Sequence, residues 1–197
     1  KPKGPTSYDV IREIKKVIGH NIKIGHAGTL DPLASGILVI GLGDATKKLG
    51  DEVKKEKEYV AKIKFGETST TDDEEGKKTI KPNILEPNTE DIERVIQTFI
   101  GRIQQVPPVY SALKIKGKAA YKRVRSGELI EMKSREVEIM SIDILSYEWP
   151  YLEIRVITGP GVYIRSLSRD IGEKLGVSGY MAELERTRVG DFKKEDA

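Results

Sequence analysis

From Gly25 to Gly36 the chain reads Gly-His-Ala-Gly-Thr-Leu-Asp-Pro-Leu-Ala-Ser-Gly. Small residues leave little side-chain bulk around one aspartate, Asp31, and one histidine, His26. Pro32 pushes the Asp31 backbone into an extended conformation, so the carboxylate projects from a fixed turn. On these residues alone Asp31 is either a carboxylate set up for chemistry or an Asx turn in an ordinary loop, with His26 as filler. The choice of catalysts is narrow. With no cysteine and two histidines, structural zinc, disulfides and cysteine nucleophiles are excluded. His20 and His26 also lack the i, i+4 helical spacing of a paired metal site. Side-chain catalysis must come from carboxylates, Tyr, Lys, Ser/Thr or one of these histidines.

A second stretch suggests a partner. From Arg102 to Arg125 the charged residues are Arg102, Lys114, Lys116, Lys118, Lys122, Arg123 and Arg125, with no acid among them and with Tyr110 and Tyr121 interspersed. Such a segment suits a phosphate backbone with bases nearby, although a solvated charged face is the commoner reason for a charge run. Acids collect elsewhere, in Asp72-Asp73-Glu74-Glu75 and Glu90-Asp91-Ile92-Glu93. The glycines of Ile40-Gly41-Leu42-Gly43-Asp44-Ala45-Thr46 are not a dinucleotide turn. Thr46 stands at the third glycine position, and Asp44 would meet the pyrophosphate with its own negative charge.

The elements that must hold these residues are legible from periodicity. Ser7 is expected to cap a helix with Val10, Ile11, Ile14, Val17 and Ile18 on one face and Gly19 at its end. A Thr89 cap and Glu90-Asp91 begin a second helix, ended by Gly101. A third spans about 163–175, with Ile164, Leu167, Ile171 and Leu175 on one stripe. Tyr59, Ala61, Ile63 and Phe65 alternate with polar or exposed positions as a strand, and 135–147 with 151–158 form a hairpin about Trp149-Pro150. Gly36–Gly41 reads as one buried strand. Without a regular βαβα rhythm the pattern predicts an α+β fold with a mixed sheet, and Pro107-Pro108 mark 106–118 as an excursion from it.

Of the 197 residues, 38% are hydrophobic and 33% charged, with net charge +3. That balance predicts a soluble globular protein of about one to one and a half domains. No apolar run approaches the roughly 18 residues of a membrane span, and no apolar core follows Lys1-Pro2-Lys3-Gly4-Pro5 as in a signal peptide. The expected location is the cytoplasm.

Several segments together carry a resemblance. Residues 25–47, GHAGTLDPLASGILVIGLGDATK, resemble the signature of TruB-type tRNA pseudouridine synthases. The opening Lys1-Pro2-Lys3-Gly4-Pro5-Thr6-Ser7 resembles the KPxGxTS motif, and Lys57-Glu58-Tyr59 the K-x-Y that carries an active-site tyrosine. Gly66 to Gly76 resembles an acidic turn containing Asp73. Residues 106–117, VPPVYSALKIKG, resemble the RNA-gripping thumb, and Gly161-Val162-Tyr163-Ile164-Arg165-Ser166-Leu167 the G-x-Y-I-R-x-L motif. The resemblance implies a pseudouridine synthase fold: a mixed, largely antiparallel central sheet flanked by helices, with a thumb inserted at about 107–135. Family members normally carry a short strand before the KP motif and a C-terminal PUA-like extension. Against that pattern the expectation is a single catalytic domain over 1–197, without the PUA-like domain.

The resemblance also implies roles. The reaction would be isomerisation of uridine 55 in the T loop of tRNA, without cofactor or metal, by a monomer. Asp31 would be the nucleophile, attacking either uracil C6 or ribose C1′. Arg165 would keep it ionised, since burial can raise a carboxylate by 3–5 units and a nearby arginine can lower it by 1–3. Tyr59 would stack on the flipped base and help proton transfer. Leu184 would form an apolar wall, Tyr163 would pack beside the pocket, and Lys1 with Pro2 would brace Tyr59. His26 would occupy the space the flipped base leaves. Asp73 would contribute to the substrate site, and Lys114 and Lys116 would touch the RNA. Two other classes compete: a guide-RNA-dependent pseudouridine synthase subunit, which usually lacks so long a thumb, and a non-catalytic RNA-binding module, which would need neither Asp31 nor Arg165.

Overall fold

Thr6 opens helix α1 (Ser7–Ile18) with a capping box: its hydroxyl accepts from the Asp9 N–H, and the Asp9 carboxylate accepts from the Thr6 N–H. Ser7 is therefore not the cap, because its side chain is turned inward. The helix buries Ile11, whereas Val17 is 86% exposed, so the apolar face is narrower than the spacing predicts. Gly19, at φ 90°, ends it. The computed structural model describes residues 1–111, 113–115 and 117–197, and all side chains there except those of Lys114, Ile115, Ala119 and Arg125.

Strand β1 (Ile24–Ala27) leads into the loop that carries Asp31. The expected single strand over Gly36–Gly41 is instead two pieces, β2 (Ser35–Gly36) and β3 (Val39–Leu42). The break has a steric cause. Gly36 sits at φ 107° with its α-carbon against the Arg186 backbone, where a Cβ would collide with the carbonyl. β3 then returns antiparallel to β1. A 3-10 turn (Gly43–Lys48) and the short α2 (Leu49–Lys54) follow.

β4 (Lys57–Phe65) buries every second residue, as its alternation requires. A small hairpin, β5 (Glu67–Ser69) with β6 (Lys78–Ile80), follows it. Helix α3 (Thr89–Gln97) is capped by Asn88 and not by Thr89: the Asn88 side chain accepts the Asp91 N–H at 2.8 Å. After β7 (Gly101–Gln105) the chain leaves the main sheet for residues 106–134. That excursion includes the short pair β8 (Lys114–Ile115) and β9 (Lys118–Ala119), and α4 (Ala120–Arg125). It rejoins as the hairpin β10 (Arg135–Glu148) and β11 (Tyr151–Thr158), turning at a cis Trp149–Pro150 bond. Helix α5 (Ile164–Lys174), β12 (Gly179–Val189) and β13 (Phe192–Lys193) complete the order.

The main sheet runs β13-β12-β4-β11-β10-β7, with β2 parallel to β12 and the other pairs antiparallel. This is the mixed, largely antiparallel sheet of an α+β fold. Ile92 and Ile96 of α3, and Ile164, Leu167 and Ile171 of α5, pack against the inner residues of β4, β11 and β10. Burial of each such side chain is worth roughly 1.5–3 kcal/mol. The core therefore makes a stiff platform, and the loop after β1 and the start of α5 meet at its edge.

Candidate active site

Asp31 and Arg165 meet across 134 positions of chain. The Arg165 Nε lies 3.0 Å from the Asp31 Oδ2, in an ion pair off the hydrogen-bond axis. Arg165 is only 4% exposed, and its other nitrogens are occupied. One terminal nitrogen donates to the Thr71 carbonyl at 3.2 Å and to the Asp73 Oδ2 at 3.3 Å; the other donates to the Tyr110 carbonyl at 2.9 Å. The guanidinium is thus a junction for the Asp31 loop, the β5–β6 turn and the root of the 106–134 excursion. It does not form a two-pronged fork on Asp31.

The Asp31 side chain remains 36% exposed. Burial among protein atoms pushes its carboxyl above the ordinary range. Arg165 is the largest opposing influence, the negative charge of Asp73 adds to the rise, and Lys1 opposes it. The arginine offsets burial without reversing it.

Asp31 and Arg165 form a wall shared by two cavities. One, of about 330 Å³, is also lined by Tyr59, Tyr163, Leu184, Lys57, Arg135 and Arg186. The other, of about 620 Å³, is lined by His26, Tyr8, Tyr110 and Tyr121 among others. Tyr59 and Leu184 therefore stand beside Asp31, with Tyr163 on the same rim. His26 faces the second cavity and not the first. Burial lowers its pKa and the positive charge of Arg186 lowers it further, so the imidazole is neutral at physiological pH.

Lys1 and Asp73 make their contacts mainly with the protein itself, although Asp73 also lines the larger cavity. The Lys1 ammonium donates to the carbonyls of Pro2, Pro5 and Pro32, at 2.8, 2.8 and 3.1 Å. It braces the turn that follows Asp31, and neither cavity is lined by it. Asp73 is nearly inaccessible; its carboxylate is taken up by Arg165, the Thr71 hydroxyl and the Glu75 N–H. It supports Arg165 from behind. Lys116 lies outside the described residues, and for Lys114 only the backbone is described.

Sequence reasoning missed four contributors. The buried Ser7 hydroxyl donates to the Leu30 carbonyl at 3.1 Å and accepts the Leu30 N–H at 2.9 Å, fixing the residue before Asp31 to α1. The buried Gln105 amide pairs with both backbone groups of Tyr163 (2.8 and 3.1 Å) and so sets the start of α5 one residue before Arg165. Lys57 is buried beside the cavity, donates to the Val53 and Lys55 carbonyls, and is pushed down to about 8, mainly by burial. Arg186, fully buried, lies opposite Tyr59 in the β12–β4 register. Alternation of β12 marks Arg186 as a partner of the Leu184 face. That was the signal available.

Among the described residues no group of three or more acidic or histidine side chains could hold a metal ion, and no helix is long and apolar enough to cross a membrane.

Comparison with known proteins gives the family. Residues 15–164 match the TruB family pseudouridylate synthase (N terminal domain), and residues 165–197 match the tRNA pseudouridylate synthase B C-terminal domain. A tRNA pseudouridine synthase B from Clostridium acetobutylicum is 47% identical over 98% of this chain and 66% of its own length. Those from Clostridium tetani (44%, 100% and 68%) and Parabacteroides distasonis (41%, 97% and 83%) are similarly related. Among solved structures, a chain in a Cbf5-Nop10-Gar1 complex superposes with a TM-score of 0.77 at 34% identity, covering all of this chain and 49% of that one. A chain in an H/ACA RNP bound to a substrate RNA gives 0.73 at 31% identity, covering 47% of that chain. The chain thus spans about two-thirds of the length of most of these curated relatives and about half of these solved chains. With two adjoining family matches that run from residue 15 to residue 197, the chain belongs to the TruB family of pseudouridylate synthases.

Proposed function

We propose that this chain isomerises uridine to pseudouridine in tRNA, at position 55 of the T loop, with Asp31 as nucleophile and the uridine flipped into the smaller cavity. The observation that carries the reading is the Asp31–Arg165 ion pair, open on one side to a cavity walled by Tyr59 and Leu184. Isomerisation breaks the C1′–N1 bond, turns the uracil and joins C5 to C1′. One proton leaves C5 and one arrives at N1, so the reaction balances without an oxidant or reductant. Asp31 attacks as the carboxylate; Arg165 favours that form against burial and keeps it in place. Tyr59 supplies a ring face for the uracil and a hydroxyl for proton transfer, while Leu184 and Tyr163 confine the base.

Extruding a stacked base costs a few kcal/mol. The larger cavity, with His26 and two tyrosines of the 106–134 excursion, provides aromatic surface for the loop left behind. We assign residues 107–135 to a thumb that grips the T arm through backbone phosphates, with Lys114 and Lys116 among the contacts. The catalytic unit is residues 1–197 acting as a monomer in the cytoplasm.

A guide-RNA-dependent subunit is the second reading, prompted by the likeness to the Cbf5 and H/ACA chains. Identities of 41–47% to tRNA pseudouridine synthases B, against 31–34% to those chains, favour the first. The test incubates the protein with unmodified tRNA transcript and no other RNA, then maps pseudouridine. A single modification at position 55, repeated on an isolated T stem-loop and absent for Asp31→Asn, is the expected result. No product without a guide RNA would overturn it. Sedimentation of the free protein as one copy checks the monomer.

A further inference from the structure

Arg186 is the anomaly of the cavity. Its side chain is 1% exposed, yet among the described residues it makes no ion pair with a carboxylate. Its Nε donates to the Ile37 carbonyl at 2.8 Å and one terminal nitrogen to the Gly28 carbonyl at 3.0 Å. These two neutral acceptors fix the plane of the guanidinium without cancelling its charge. Gly28 leaves room for the outer edge, since a Cβ there would stand 3.3 Å from a terminal nitrogen. Tyr59 and Arg186 face each other across the β12–β4 register, and both line the cavity. Burying a cation without a counter-ion is costly, so a partner that becomes negative during turnover gives it a purpose.

We propose that Arg186 is a positioning residue that acts through Tyr59, aiming the phenol into the cavity and stabilising the negative oxygen it becomes while a proton passes from uracil C5 to N1. The step balances. The Tyr59 hydroxyl gives its proton to N1 of the rotated, C5-linked uracil; the phenolate then takes the proton from C5 and is neutral again. The inference rests on the pseudouridine synthase reading. Burial raises the Tyr59 phenol, and Arg186 is the main influence pulling it back down. Tyr59 is also faced by the negative Asp31, which raises it. Arg186 in turn has Lys57 and His26 around it, both of which its charge disfavours as cations. Among these neighbours Tyr59 is the one that gains by becoming charged.

The test places 3-fluorotyrosine at position 59 of the full chain and follows its ionisation by 19F NMR. Saturated single-turnover rates and tRNA affinity are measured alongside on an unmodified transcript. For Arg186→Gln the midpoint should rise by about one pH unit or more, the lower end of what a neighbouring opposite charge does. The rate should fall about tenfold or more, with affinity within about threefold, as for loss of an interaction made in the transition state. Arg186→Lys should lie between, because an ammonium keeps the charge but cannot hold two carbonyls and a phenol in one plane. If the Gln variant loses its fold by circular dichroism, the Lys variant decides. A midpoint unchanged in every folded variant, or a wild-type rate, would overturn the proposal, leaving Arg186 a strut between β12 and the Gly28 and Ile37 carbonyls. If the unsubstituted chain modifies no tRNA, the substrate reading fails, and the 19F midpoints still decide the link between the two residues.

Discussion

Asp31 combines two demands that oppose each other. The proposed attack needs the carboxylate, whereas burial and Asp73 favour the acid. Because its folded pKa is raised, the reactive form is lost as pH falls through that raised value. The acid limb of the single-turnover rate should therefore have a midpoint above the ordinary aspartate value of about 3.9; a midpoint at or below it would contradict the burial argument. The same sign governs stability. The native state holds the proton more tightly than the unfolded chain, so stability falls as pH rises from the ordinary to the raised value. Asp31→Asn should abolish turnover, keep tRNA binding, and at pH 7 stabilise the fold, read as a higher Tm. Arg165→Lys should act in the other direction. A lysine cannot serve Asp31, Asp73, Thr71 and Tyr110 together, so the saturated rate should fall by roughly a hundredfold and the Tm should drop. An unchanged rate would remove Arg165 from the site.

At the level of the elements, position depends on hydrogen bonds that bind the loops to the platform. The Ser7–Leu30 pair ties α1 to the residue before Asp31. Ser7→Ala strands a buried N–H and a buried carbonyl, and should cost about 1–3 kcal/mol by denaturant titration, with a loss of rate beyond any loss of affinity. A variant equal to wild type in both would show the Asp31 loop to be held by other means. The strand alternation of β4, the hairpin about Trp149–Pro150 and the α5 stripe were legible because period alone defines them. Asp31 stood out by its setting, and Arg165 by the motif around it. Ser7 was misread because Thr6 and Ser7 are both good caps, and only the capping box with Asp9 selects Thr6. Arg186 was hidden in Glu185-Arg186-Thr187-Arg188, whose four polar or charged side chains do not by themselves mark a buried position. Alternation from Leu184 puts Arg186 on the cavity face, and the irregularities of register on either side, between Met181 and Glu183 and between Arg186 and Arg188, keep that alternation from standing out along the strand. Gly36 broke the expected strand through a contact 150 residues distant in sequence.

On the scale of the whole molecule, the +3 charge matters less than its concentration in residues 102–125. If the thumb grips phosphates, Lys114→Glu should weaken tRNA binding and flatten the slope of log affinity against log salt by about 0.7–0.9 per lost contact. The saturated rate should not change. Parallel slopes, or a fallen rate with affinity preserved, would rule out an electrostatic grip. The excursion has another property. Asp31, Tyr59, Thr71, Asp73 and Tyr110 all precede residues 112–134, whereas Arg165, Leu184 and Arg186 follow them, and the sheet interleaves the two sides as β12-β4-β11-β10-β7. A nick between Ser126 and Leu129 would thus separate Asp31 from its arginine in covalent terms, while the strand pairing would draw the halves together again. Neither half could form pseudouridine alone, and co-expression would restore it, so the fold already contains the seam of a two-fragment complementation reporter.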